Sequence, residues 1–256
     1  MKGKRGLVMG VANDHSIAWG VARVLAAHGA ELAFTSQGEG FWRRVVPLAE
    51  SLAAKIIEPA DVQDSASLDA LFERIEKEWG RLDVLVHAIA YSDKAELDGR
   101  FVDTTRSNFL NSLDISCYSL VDLTRRAAPL MTQGGSVMTM TYLGAQRVTP
   151  HYNVMGVAKA ALESAVRYLA HDVGPQGSRV NAISPGPMRT RAGAAIAGAR
   201  KVYQASEANA PLRANATLDA VGGTALYLAS DLGACTTGEI IFVDGGFHVT
   251  GMAQPE

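Results

Sequence analysis

Nothing in the 256 residues approaches the ~20 consecutive apolar positions that a membrane-spanning helix needs, so no membrane association is expected. Neither sign of charge is in excess. Lys and Arg number 24 against 26 Asp and Glu, a formal charge of −2, so the basic surplus that a phosphate backbone demands is missing and nucleic acid is not expected as a partner. Only two cysteines occur, Cys117 and Cys235, far apart and without ligand spacing around them; this argues against a disulfide framework and for a reducing compartment. The six histidines also lack metal-ligand spacing, no Ser-His-Asp constellation is visible, and no metal site is expected. Proline is scarce at 9 residues, and no Pro/Gly-rich linker, repeat or charge block divides the chain. Met1 to Arg5 looks like the basic front of a signal peptide, but the apolar run Leu7 to Ala12 is short and enters Asn13-Asp14-His15, so it reads as a first strand. What is present is 48% hydrophobic and 20% charged, the balance of a soluble globular protein, expected to be cytoplasmic and to form one domain over 1–256.

Short aliphatic runs alternate with longer helical ones. Strands are predicted at Gly6 to Met9, Glu31 to Thr35, Lys55 to Glu58, Val84 to Ile89, Ser136 to Met140, Arg179 to Ile183 and Ile240 to Val243. Helices are predicted at Ser16 to His28, Phe41 to Leu52, Ser65 to Trp79, Thr105 to Ala128, Tyr152 to Val173 and Leu218 to Ala229. The third helix keeps Leu68, Leu71, Phe72, Ile75 and Trp79 on one face, with Asp64 or Ser65 as its N-cap. Continuous apolar strands alternating with helices predict a parallel sheet covered on both faces. A glycine turn after the first strand favours an open, doubly wound (Rossmann-like) seven-stranded α/β sheet over a closed barrel. The Gly/Ala-rich stretch Arg191 to Ala199 reads as a weak helix or a mobile loop.

Gly10 ends the first strand, and Ser16-Ile17-Ala18 follow, with Gly20 two residues on. Small residues here let backbone amides approach a pyrophosphate at a helix N-terminus, with Ser16 a good N-cap; the same residues also suit a plain strand-to-helix turn. The second strand runs out at Gln37, where an acid would select NAD and an arginine NADP. An amide bonds ribose hydroxyls without neutralising a 2′-phosphate, and Arg43 and Arg44 read as a solvated face, so NADH is favoured over NADPH. Asp61 after the third strand is placed to accept from an adenine amine, or to serve as a turn or capping aspartate.

Tyr152 and Lys159 lie seven residues apart in a helical pattern, a rotation of about 700° that puts them on one face about 10.5 Å apart along the axis. A lysine beside a nicotinamide ribose holds its hydroxyls and favours ionisation of a nearby phenol; a phenol at a substrate oxygen donates a proton or stabilises an enolate. A packing tyrosine and a surface lysine would share this spacing.

At these residues the chain resembles, over nearly its whole length, a divergent short-chain dehydrogenase/reductase. The usual Tyr-x3-Lys would place a tyrosine at Met155 and a serine at Tyr142, and the usual Asn-Asn-Ala-Gly is His87-Ala88-Ile89-Ala90, so the ordinary ketone chemistry is missing. The replacement pattern resembles the NADH-dependent enoyl-acyl-carrier-protein reductases of bacterial fatty-acid biosynthesis. It is carried by Phe34-Thr35-Ser36-Gln37, Asp61-Val62, Asp114-Ile115-Ser116, Tyr142-Leu143-Gly144-Ala145, Tyr152 to Lys159, Val180 to Ser184, Gly186 to Thr190 and Val243 to Gly246. The resemblance implies hydride delivery to the β-carbon of a trans-2-enoyl thioester. It assigns Tyr152 to the enolate, Lys159 to the nicotinamide ribose, and Tyr142 to the substrate pocket with an assisting role. Gly10, Ser16, Ile17, Gln37, Asp61, Val62 and Ile89 map onto cofactor contacts, Met188, Arg189, Thr190, Arg191 and Ala192 onto the nicotinamide-side loop, and Ser92 onto a substrate contact.

Departures from the pattern are Ala90-Tyr91 beside the acyl pocket, Pro185, and the cation pair Arg200-Lys201. The pair lies in the segment at about 188–210 that should cover substrate, and reads as a solvated face or a docking point for acidic carrier protein. His87 reads as a satisfied core residue and His151 as a helix-end residue. The resemblance implies acyl carrier protein as partner and a homotetramer packed through Thr105 to Ala128 and Tyr152 to Val173. Two other readings remain at this level: a reductase of the same fold for another conjugated carbonyl or a ketone, and a dinucleotide sensor without turnover.

Overall fold

Residues 1–190 and 198–252 are described by the structure, a computed structural model. Seven strands form one parallel sheet: β1 (Arg5–Met9), β2 (Glu31–Ser36), β3 (Ile56–Pro59), β4 (Val84–His87), β5 (Ser136–Met140), β6 (Arg179–Pro185) and β7 (Ile240–Val243). Their order is β3-β2-β1-β4-β5-β6-β7, and every neighbouring pair is parallel. The direction of winding reverses between β1 and β4, so the crevice beyond their carboxyl ends is the expected ligand position.

Alternate residues of each strand feed two different cores. Leu7, Met9, Leu85, Val137 and Val180 pack with α3 (Ser65–Trp79) and the helices α6 (Ser119–Ala127) and α7 (Asn153–Val173). Val8, Phe34, Val84, Val86 and Met138 pack on the other face with α1 (Ile17–Ala27), α2 (Glu39–Ser51) and α9 (Leu218–Ala229). Period-two alternation with apolar residues in both registers is what a doubly covered sheet requires. The α3 stripe is buried as its spacing predicts, and Asp64 caps that helix by accepting from the Ala66 amide at 3.0 Å.

Three local departures from the sequence reading bear on the site. The single helix expected over Thr105 to Ala128 is α5 (Arg106–Leu113) and α6 separated by one π-helical turn at Asp114–Tyr118. Such wide turns re-aim side chains without ending the helix, and hydrophobic spacing does not reveal them. Two further helices were not anticipated: the short α4 (Lys94–Leu97) and α8 (Ala199–Asn209). Residues 191–197 of the predicted covering segment lie outside the described residues. No described helix is long and apolar enough to cross a membrane, and both cysteines are free thiols.

Candidate active site

The carboxyl ends of β1, β2 and β3 bring one group of the predicted residues together. Gly10 adopts φ +104°, and a Cβ there would lie 2.1 Å from the Ala88 carbonyl oxygen. Its immediate role is therefore the close approach of the β1 and β4 ends at the crevice, rather than only leaving room for a phosphate. Ser16 stands at the N-cap position of α1, but its hydroxyl bonds no helix amide, contrary to the capping expected of it. Its Oγ accepts from the Ala12 and Asn13 amides, both at 3.0 Å, and so shapes the turn itself. The α1 N-terminus at Ile17 keeps the first-turn amides that lack an intrahelical acceptor, a ready anion cradle. Gln37 Nε2 donates to Asp61 Oδ2 at 2.9 Å, joining the two residues assigned to ribose and adenine. The Gln63 amide donates to Asp61 Oδ1 at 3.0 Å and the Asp61 amide to Ser67 Oγ at 3.0 Å, so this carboxylate is held rigidly. Val62, next in the chain, and Ile89, beyond the end of β4, are half-buried against the core.

Across the crevice, His15 of the glycine turn and Met188, Arg189 and Thr190 after β6 line one cleft with Tyr203 of α8. Arg189 lies over the Tyr203 ring at 4.8 Å, which couples the loop to α8. Arg191 and Ala192 fall outside the described residues.

The second group gathers at the ends of β4 and β5. Tyr152 is not the first residue of α7 but its N-cap, between two residues of left-handed backbone, His151 (φ +58°) and Asn153 (φ +38°). Asn153 stabilises this entry: its Nδ2 donates to the carbonyls of Glu96, Leu97 and Gly99 at 2.8–3.2 Å, while His151 Nδ1 sits 2.9 Å from Asp98. The Tyr152 ring is 9% exposed and meets the Tyr142 ring edge-on at 5.0 Å. Leu97, Val154 and Met155 complete a small apolar cluster with Phe109 against it. Burial, and after it the neighbouring Tyr142 and Glu163, raises the Tyr152 phenol well above its ordinary value; burial also raises Tyr142. Lys159 is not among the groups that act on this phenol, so the expected push toward ionisation is not found, and Tyr152 is a neutral O–H donor at neutral pH.

Lys159 is 4% exposed, and its Nζ donates to the Met140 carbonyl at 2.8 Å. It is thus no surface lysine. Burial lowers it to about 8, opposed by Cys117 and Glu163. Below it His87 bridges Thr139 Oγ1 and Ser119 Oγ, both at 2.8 Å. Ser119 spends its own proton on the Ile115 carbonyl (2.6 Å), so His87 Nε2–H donates to Ser119 and Nδ1 accepts from Thr139. Burial first, and the Lys159 charge second, lower His87 to about 3, which makes it a neutral structural bridge.

Ser92 shares hydrogen bonds with Asn108 (3.2–3.3 Å) on α5, and Asn108 also accepts from the Asp93 amide at 2.9 Å. The π-helical turn aims Ser116 at Tyr91, whose amide and carbonyl both bond its Oγ at 3.0 and 3.1 Å. Tyr91 itself is exposed, so its hydroxyl reaches water. Asn108, Asn153 and Glu163 were missed in the sequence, since a polar residue inside a helical stripe carries no sign of the loop it will hold. Among the described residues no cluster of His, Cys, Asp or Glu is suited to a metal ion.

Gly144 allows the tyrosines to meet. A Cβ there would lie 2.4 Å from the Tyr152 ring. Gly144→Ala should therefore displace that ring, costing ~1–3 kcal/mol in unfolding experiments and lowering turnover by about tenfold or more with the overall fold intact. Unchanged turnover would show that the ring position is not critical.

Comparison with known proteins follows the same geometry. A family model described as Enoyl-(Acyl carrier protein) reductase matches residues 10–248. The enoyl-[acyl-carrier-protein] reductase [NADH] 2 of Rhizobium meliloti (strain 1021) is 56% identical over 256 residues, 100% of this chain and 96% of the relative. A crystal structure of the enoyl-(acyl-carrier-protein) reductase from Anaplasma phagocytophilum in complex with NAD is 54% identical with a TM-score of 0.95, covering 100% of this chain and 97% of that one. The crystal structure of FabI from Candidatus Liberibacter asiaticus is 50% identical with a TM-score of 0.97, covering 99% and 98%.

Proposed function

The chain belongs to the enoyl-(acyl carrier protein) reductase family, a branch of the short-chain dehydrogenases/reductases, and from that premise we propose that it performs the family's reaction. It is an NADH-dependent oxidoreductase of the CH–CH class that reduces trans-2-enoyl thioesters in fatty-acid biosynthesis. The observation that carries this reading is the packed pair Tyr142 and Tyr152 together with a buried Lys159, with Met155, which has no acidic proton, at the usual tyrosine position.

When bound, NADH supplies a hydride to the substrate β-carbon. The chain's own groups do the rest. Gly10, Ser16 and Ile17 form the pyrophosphate turn, Gln37 and Asp61 the adenosine end with Val62 beside it, and Ile89, Met188, Arg189 and Thr190 the walls toward the nicotinamide. Asp61, negatively charged and bonded to Gln37, disfavours a 2′-phosphate there, which fits NADH over NADPH. Lys159 donates to ribose hydroxyls from a dry site. Tyr152, kept neutral by burial, donates its O–H to the thioester oxygen as charge builds on it, and Tyr142 packs the enoyl group and seconds that donor. Ser92 lines the acyl side.

The substrate arrives on acyl carrier protein, and the exposed Arg200-Lys201 pair on α8 offers it two cations at the rim. The chain works as one domain over 1–256 in which residues 188–210 cover the substrate, in a cytoplasmic homotetramer. Exposed Leu110 and Tyr118 near the π-helical turn and Tyr168 of α7 are the apolar groups such packing would cover.

The test is oxidation of NADH and NADPH with a short trans-2-enoyl thioester, on coenzyme A and on carrier protein. Steady NADH oxidation, faster than NADPH, is expected. Tight NADH binding with neither cofactor oxidised would favour another conjugated carbonyl as substrate, or a sensor.

A further inference from the structure

Glu163 is 5% exposed, yet it was given no role by its sequence context. A buried carboxylate is costly unless its oxygens are bonded and its charge is answered. Its Oε1 accepts from Thr141 Oγ1 at 2.8 Å and its Oε2 from Gln146 Nε2 at 3.1 Å. These two donors bracket the turn that carries Tyr142 and Gly144. Among the described residues no cation lies within ion-pair distance of it. The cation it answers is Lys159, one turn earlier on the same face of α7: the Lys159 Nζ donates to the Met140 carbonyl, and Glu163 accepts from the hydroxyl of Thr141, the next residue in the chain.

We propose, on the basis of the functional reading above, that Glu163 is a positioning residue: its buried carboxylate keeps the Lys159 ammonium charged for the dinucleotide while its two oxygens anchor the turn that carries Tyr142. The groups acting on Lys159 from the packed elements are few. His87 of β4 is neutral, Cys117 of the π-helical turn is a thiol that burial pushes up, and Tyr152 is a neutral phenol. Cys117 and Glu163 both act to raise Lys159, but Cys117 is a thiol that burial pushes up, so the Glu163 carboxylate is the standing counter-charge to an ammonium that burial lowers to about 8. The Met140 carbonyl is its hydrogen-bond acceptor.

Glu163→Gln isolates the charge. The amide oxygen still accepts from Thr141, and rotation of the Gln146 amide restores the second bond, so the turn keeps its anchors. The measurement is the pH dependence of NADH affinity, read from the fluorescence of the bound dinucleotide. Wild-type affinity should fall as pH rises and Lys159 loses its proton. In Glu163→Gln that fall should begin about one pH unit lower, the low end of what a neighbouring opposite charge produces, with affinity at pH 6 within about threefold of wild type. Glu163→Asp should keep the wild-type limb. A limb unmoved in Glu163→Gln would overturn the proposal. If Gln does not give folded protein, Glu163→Met repeats the test without the charge; failure of both to fold would place Glu163 in fold stability and overturn its cofactor role. Binding is read without enoyl substrate. A wild-type protein that binds NADH but leaves the thioester unreduced would therefore sink the functional reading alone.

Discussion

Tyr152→Phe should lower turnover of a trans-2-enoyl thioester by about 10²–10⁴-fold while leaving NADH affinity within about twofold of wild type. The ring is retained, and with it the contacts to Leu97, Val154, Met155 and Tyr142 that hold the α7 entry. Only the O–H is lost, and burial holds that O–H neutral and available as a donor. A donor that strengthens as charge builds on the thioester oxygen acts on the transition state more than on the bound substrate, so kcat should fall with little change in KM. Single-turnover kinetics with fluorescence titration of NADH make the distinction. Equal losses in binding and turnover would assign Tyr152 to packing instead. Tyr142→Phe should fall by less, because its phenol is the more exposed of the two and only seconds the donor.

Lys159→Met should have opposite effects on binding and on stability. The ammonium is displaced from an ordinary value of 10.5 to about 8, so holding it charged in a buried place costs the free protein about 3 kcal/mol. Methionine fills the same volume without that cost, less ~1 kcal/mol for the Met140 carbonyl left without its donor. The dinucleotide-free variant should thus melt several degrees higher, while NADH affinity drops by about 100-fold or more through loss of the charged donor to the ribose. The pH dependence has a definite sign. Between about pH 8 and 10.5 the unfolded lysine holds a proton that the folded one has released, so wild-type stability gains from this group as pH rises through that window, and Lys159→Met lacks the gain. NADH affinity of the wild type moves the other way, falling above about pH 8. A variant no more stable than wild type at pH 7 would show that relaxation around the ammonium has already removed the cost.

The sheet and its covering helices were legible because their signals are local and repeated. The α3 stripe, the alternating Leu7, Val8 and Met9, and the apolar runs of β4 and β5 each declare two buried faces within a few residues. The boundaries moved by one or two residues, as at β3 and β4, where end residues answer to neighbouring strands. The π-helical turn at Asp114–Tyr118 stayed hidden because its sequence is compatible with an ordinary helix; packing against α7 and the need to place Ser116 under Tyr91 select the wider turn. The helix α4 is too short for a periodic pattern, and its position is set by Asn153 reaching two of its carbonyls and that of Gly99 just beyond it. Ser16 was legible as a turn residue, but whether its hydroxyl turns to the helix or back to Ala12 and Asn13 depends on how the loop closes.

Chain order, the type of the main elements and the glycine turn follow from the sequence alone, because propensity and hydrophobic period are properties of adjacent residues, while the family resemblance singled out Tyr142, Tyr152 and Lys159. The state of those groups was decided only by tertiary structure. Whether the lysine is a solvated cation or a buried ammonium near neutrality, whether the phenol ionises, and whether a glutamate in mid-helix is surface charge or the anchor of the turn that carries Tyr142 all depend on which distant segments exclude water from them. Desolvation and long-range hydrogen bonds are set by that exclusion, which the order of residues along one helix does not record.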